Sequence, residues 1–194
     1  MRTICTLLLL ALLPLWAHAM PWRGYIVSKN GTQLTGYIAN INHQLKTSTV
    51  VFINDFGDVY QIEAERIKGF VFSTKGQFFA FESRQVQRKW RYLRIVAKNQ
   101  PLDLYVLTEG TGNDFGALQA RPEQMAPIAY WVKPQGRRAT KIGPWRFRKK
   151  MRRVLQKHAP ELAGKIGKRG YRFPDVPAII EEYNKLLAQK NARI

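Results

Sequence analysis

The sequence predicts an α+β protein: an antiparallel β-meander closing into a small barrel or sandwich, followed by a basic C-terminal helical region. Three observations carry this. Short β-branched and aromatic runs, separated by turn signals, recur over residues 23–132. After Pro144 the apolar residues change to helical spacing. Charge divides near the same place, with 13 basic against 9 acidic residues over 20–132 and 18 against 4 over 133–194.

Residues 23–29 and 32–39 read as a hairpin, because Asn30-Gly31 suits the positive φ that a type I′ turn needs at both central positions. Strands at 49–53 and 59–62 flank a turn at 54–58, and strands at 67–72 and 78–81 meet across 74–77. A long alternating strand at 90–96 follows, then strands at 102–107 and 128–132. Closure or coverage would remove the exposed edges of such a sheet. Residues 109–126 form a long polar loop. The β-domain is thus expected over 20–142 and the helical region over 143–194.

Pro144 suits the first turn of a helix, where its missing N–H costs nothing. Phe147, Met151, Val154, Leu155 and His158 then recur on one helical face, with Arg and Lys covering the rest. Residues 160–166 suggest a short second helix and 167–174 a breaker-rich loop. The last helix, 176–189, sets Val176, Ile179, Ile180, Tyr183 and Leu187 on one face.

The first 19 residues have the three parts of a secretory signal: Arg2, an uncharged apolar run over 4–16, and the small-x-small site Ala17-His18-Ala19. The run is about 13 residues, too short to span a bilayer. Cleavage after Ala19 implies an exported chain, periplasmic or associated with the outer membrane. It removes the single cysteine, so neither a disulfide nor thiol chemistry is expected.

The remaining His43 and His158 are too few for a transition-metal site, and no metal or cofactor is expected. Asn54, Asp55 and Asp58 come nearest to a calcium set, but Asn-Asp-x-Gly-Asp is also turn chemistry. The glycines at 110–116 have the wrong spacing for a dinucleotide loop, and no G-x-S-x-G elbow occurs. Glu63, Glu65, Glu82, Asp103 and Glu109 show no spacing that pairs them as catalytic carboxylates. Glu181 and Glu182 read as a solvated face or as partners of Lys185. No catalytic residue is assigned.

The pointed feature is the basic helix. Arg148, Lys149, Arg152 and Arg153 would attract an anionic surface, with Trp145 as the interfacial anchor. Tyr171 and Phe173 also lie among basic residues. The partners implied are anionic lipid, lipopolysaccharide or acidic glycan; export counts against nucleic acid. The leading reading is a non-enzymatic envelope protein that acts by binding. One rival is an accessory subunit docking on another envelope protein, and an enzyme of unrecognised type is the third. The plainest account has the apolar stripe packed on the β-domain and the charges facing water.

The order of motifs resembles a group of uncharacterised exported proteins of bacteroidete bacteria. Gly24-Tyr25-Ile26 and Gly36-Tyr37-Ile38 carry the likeness, with Val50-Val51-Phe52, the turn from Asp55 to Asp58, and Arg66-Ile67-Lys68-Gly69-Phe70. Leu102-Asp103-Leu104-Tyr105 and Ile180-Glu181-Glu182-Tyr183-Asn184 complete it. His158-Ala159-Pro160 stands where the group often has a cysteine-proline pair. The resemblance implies an exported compartment and this layout, with no activity and no site residues.

Overall fold

The computed structural model describes residues 21–43, 46–108 and 126–192. The expected export signal at 1–19, and the polar loop at 109–126 apart from Ala126, lie outside them. The described chain is α+β: one antiparallel sheet followed by helices. Its strands are β1 (Trp22–Ser28), β2 (Gln33–His43), β3 (Ser48–Asn54), β4 (Val59–Glu63), β5 (Ile67–Thr74), β6 (Gln77–Val86), β7 (Lys89–Ala97), β8 (Leu102–Thr108), β9 (Pro127–Pro134) and β10 (Thr140–Ile142). The three-residue β10 was not expected from sequence; it pairs with β9 through Lys141 opposite Trp131.

The strand order is β10-β9-β8-β7-β6-β5-β1-β2-β3-β4, so the simple meander needs one correction. After β4 the chain returns to pair β5 with β1. In a flat sheet that return would cross about 19 Å, four interstrand steps. The link Ala64-Glu65-Arg66 reaches only about 14 Å fully extended. The sheet must therefore coil, and Ala64 is fully buried in the coil, its N–H donating to the Ser48 carbonyl at 2.8 Å.

Coiling brings Thr47 against Trp90 in an isolated bridge, yet the sheet does not close into the expected barrel. The bridge cannot grow into a ladder because it falls beside two interior strands, while the edge strands β4 and β10 are not paired with each other. β3 lies between β2 and β4, and β7 lies between β6 and β8, so neither keeps a free row of backbone groups. Only the Thr47 end remains, and the Arg91 guanidinium donates to its carbonyl at 3.0 Å.

The first hairpin also differs in detail. Gly31 has φ +100 but Asn30 is not in the left-handed region. Gly31 donates to Ser28, and Ser28 to Thr32, which is a three-residue loop with a glycine bulge rather than a type I′ turn. Asn54 to Asp58 repeats the design, with Gly57 at φ +92.

The inner face of the coil is aromatic. Phe70 stacks on Phe81 at 4.7 Å, Trp22 on Phe72 at 4.5 Å, and Tyr92 meets Phe70 edge-on. The glycines of the two G-Y-I motifs face each other across β1 and β2. A methyl group on Gly24 would lie 2.1 Å from the Val71 carbonyl oxygen, so close approach of strands demands glycine there.

A second core joins one face of β8–β10 to the helices. A 3-10 turn (Pro144–Arg146) leads into α1 (Phe147–Leu155), followed by α2 (Pro160–Lys165), a second 3-10 turn (Phe173–Asp175) and α3 (Val176–Asn191). Phe147, Met151 and Leu155 of α1 are buried against that face, but His158 lies beyond the helix and is exposed, so it leaves the expected stripe. From α3, Asn184 accepts from the Leu102 N–H at 2.9 Å and donates to the Leu102 carbonyl at 3.0 Å. No described helix is long and apolar enough to cross a membrane.

Candidate anion-binding surface

The helical region presents its charge because its apolar residues are already used. α1 turns Phe147, Met151 and Leu155 inward, which leaves Arg148, Lys149, Arg152 and Arg153 exposed. Lys150 fixes the helix to the sheet by donating to the Lys141 carbonyl at 2.8 Å. The 3-10 turn before α1 has no buried residue and holds Trp145 at 98% exposure. An indole that exposed contributes nothing to the core.

These residues frame an open cleft of about 800 Å³ between the start of α1 and the loop after α2. Its cations are Arg146, Arg148, Lys149, Lys150, Arg153 and Arg172, and among the described residues that line it none is acidic. Four of the five site residues read from sequence therefore meet: Trp145, Arg148, Lys149 and Arg153. Arg152 does not line the cleft. It is spent on structure, donating to the Ile166 carbonyl at 3.1 Å at the end of α2.

The opposite wall depends on Gly167, which has φ +100 and lies under the Arg148 side chain. A methyl group there would sit 2.7 Å from the Arg148 Nε. Arg172 comes from this wall and was missed in sequence, although the basic cluster around Tyr171 and Phe173 marked its neighbourhood. Those two aromatics are half-buried and engaged with the fold, and of the two only Phe173 lines the cleft. Phe173 packs edge-on against Tyr130 and Phe147, and the Tyr171 hydroxyl donates to Glu182 at 3.1 Å. Glu182 also pairs with Lys165 at 3.1 Å, and this hydrogen bond is the leading cause of the raised Lys165 pKa. Glu181 pairs with Lys185, as the spacing suggested.

Other candidates resolve into structure. Asn54 accepts from the Phe56 and Asp58 N–H groups, while Asp55 turns away to Arg23 and to Thr35, so no calcium set converges. The hydrogen bond from Arg23, then that from Thr35, holds the Asp55 carboxyl below its ordinary pKa. His43 Nδ1 lies 2.6 Å from Ser48 Oγ, but Ser48 is fully buried and beyond reach of a substrate. Burial, then the charge of Arg91, pushes the His43 imidazole down to about 4. Glu82 pairs with Arg84 and Lys98, and Asp103 lies 3.9 Å from Lys133. Comparison with protein-family models, curated proteins and solved structures found no match.

Proposed function

We propose that this chain is an exported, non-enzymatic envelope protein that binds an anionic lipid surface through the cleft at the start of α1. The observation that carries the reading is Trp145, 98% exposed and ringed by Arg146, Arg148, Lys149 and Arg153, with no acid among the described residues of the lining. Export itself rests on the signal-like residues 1–19. Because the apolar stripe of α1 is buried in its own chain, attachment relies on charge and one indole. Each cation near an anionic membrane contributes about 1 kcal/mol.

The test is co-sedimentation of the chain from Met20 with phosphatidylglycerol and phosphatidylcholine vesicles, at low and high salt. Binding is expected for the anionic vesicles alone, reversed by salt and weakened roughly 100-fold in the triple variant R148Q/K149Q/R153Q. Absence of binding at low salt would overturn the proposal. Attention would then move to the rival docking reading and to the β4 edge, where Phe56, Val59 and Tyr60 are exposed.

A further inference from the structure

The face of the sheet turned away from the helices carries a second convergence of cations. Leu93 of β7, Tyr105 of β8 and Trp131 of β9 form its floor, all buried although no described helix packs on them. Over this floor the β6–β7 hairpin folds toward β10. Lys141 of β10 reaches Gln87 at the hairpin tip, Nζ to Oε1 at 3.2 Å, although four interstrand steps separate β6 from β10. Four steps would be about 19 Å in a flat sheet, so the hairpin is curled across the face.

Between this tip and the β9–β10 turn lies a pocket of about 540 Å³, within the range of small-molecule sites. Arg84, Lys133, Arg137, Arg138 and Lys141 line it, and among its described lining residues none is acidic. Two cations are held in place by the aromatic floor: Arg84 lies 5.0 Å above Tyr105 and donates to its hydroxyl at 3.0 Å, and Lys141 lies 5.5 Å from the Trp131 ring centre. Arg84 and Lys133 also meet Glu82 and Asp103, at 3.0 and 3.9 Å. Arg137 and Arg138 have no ion-pair partner among the described residues, and the Arg84 Nε has no hydrogen-bond partner. The hairpin that forms the wall is itself unusual. Its turn residues Gln87 and Arg88 have φ +52 and +62, a conformation that two-residue turns normally give to Asn and Gly. The strain is retained where it sets Gln87 against Lys141.

We infer that this pocket is a second anion site, one that takes a phosphate group borne on a ligand of small-molecule size. Three of its five cations are arginines, whose planar forks match phosphate oxygens in pairs. The aromatic rings form the floor and position the cations, and at 5% exposure or less they offer a ligand little surface of their own. The site lies on the opposite face of the sheet from α1, so it stands or falls independently of the membrane reading.

The experiment is a titration of the chain from Met20 with inorganic pyrophosphate, followed by 15N-resolved backbone NMR, with sulfate as the comparison anion. Saturable shifts are expected around Gln87, Arg138 and Lys141, with pyrophosphate favoured over sulfate. The variant R137Q/R138Q should weaken this binding at least tenfold, and R148Q/K149Q/R153Q should leave it unchanged. Unsaturable shifts spread over both basic surfaces, or an unaltered affinity in R137Q/R138Q, would overturn the inference. With the expected result in hand, vesicle co-sedimentation of R137Q/R138Q assigns the source. Reduced vesicle binding identifies a lipid headgroup, and unchanged vesicle binding identifies a free phosphate ester.

Discussion

Replacing Asn184 should unfasten α3 from the sheet. The β7 ladder stops at Ala97 opposite Leu104, two residues short of Leu102, so the side-chain amide of Asn184 supplies what a strand would have supplied. It satisfies both backbone groups of Leu102, a residue 1% exposed, and is itself only 8% exposed. Asn184→Leu keeps the branched shape and the four side-chain heavy atoms and removes both hydrogen bonds. Each buried backbone group left without a partner costs roughly 1 to 3 kcal/mol. Relief from burying a polar amide offsets part of this, which leaves about 2 to 4 kcal/mol. For a chain of this size that is a fall in Tm of about 5 to 15 °C.

Urea unfolding is the assay, with the exposed Gln189→Ala as a surface control expected within about 0.5 kcal/mol of the parent. The midpoint of Asn184→Leu should fall with its slope unchanged. Asn184→Asp should not rescue it, because the carboxylate retains the acceptor for the Leu102 N–H but loses the donor to the carbonyl. A Leu variant within 0.5 kcal/mol of the parent would refute the claim that this amide completes the sheet.

Three other perturbations probe the rest of the fold. Gly24→Ala places a methyl against the Val71 backbone and should cost about 3 kcal/mol or more in unfolding free energy; a neutral result would mean that β1 and β5 can separate there. Leu155→Ala and Phe147→Ala should each cost about 2 to 5 kcal/mol by thermal unfolding, and unchanged melting would show that α1 is not docked. His43 should titrate near 4 by NMR, well below its ordinary 6.5. Its folded pKa is depressed, so its contribution is complete above about 6.5 and is lost as pH falls toward 4. At 1.36 kcal/mol per pKa unit this is at most about 3 kcal/mol, and roughly 2 given the partial exposure of the residue. A midpoint near 6.5 would contradict the burial argument.

Local signals made most strands legible: β1 to β9 are runs of β-branched and aromatic residues bounded by turn residues. What pairs over distance was not legible. No local pattern says that β5 returns to β1, because the decisive fact is the short reach of Ala64-Glu65-Arg66 after four strands. β10 is three residues long, too short for a period, and exists because β9 offers it an edge. The turn at Gln87-Arg88 hides the end of β6, since neither residue is a usual left-handed type. At the candidate site, the exposure of Trp145 and the burial of Phe147 follow from helical spacing, whereas the diversion of Arg152 to Ile166 depends on where α2 ends. Tyr171 and Phe173 looked like ligand aromatics, yet α3 and β9 claim them.

The burial of the α1 stripe decides what kind of membrane contact is open to this protein. An interfacial amphipathic helix anchors by sinking its apolar face among acyl chains. Here Phe147, Met151 and Leu155 are committed to β8–β10 and the other helices, and withdrawing them would dismantle the second core. On the proposed reading, contact is then shallow, with charge supplying the attraction and Trp145, 98% exposed, the apolar group on the cleft best placed to enter the interface. The two contributions separate with salt, because the screening length falls from about 10 Å at 0.1 M to about 3 Å at 1 M while indole partitioning does not depend on it. R148Q/K149Q/R153Q should therefore flatten the salt dependence of vesicle binding. Trp145→Ala should lower binding by a similar factor at every salt concentration. If Trp145→Ala instead flattens the salt dependence, the indole is ordering the cations of the cleft rather than entering the membrane.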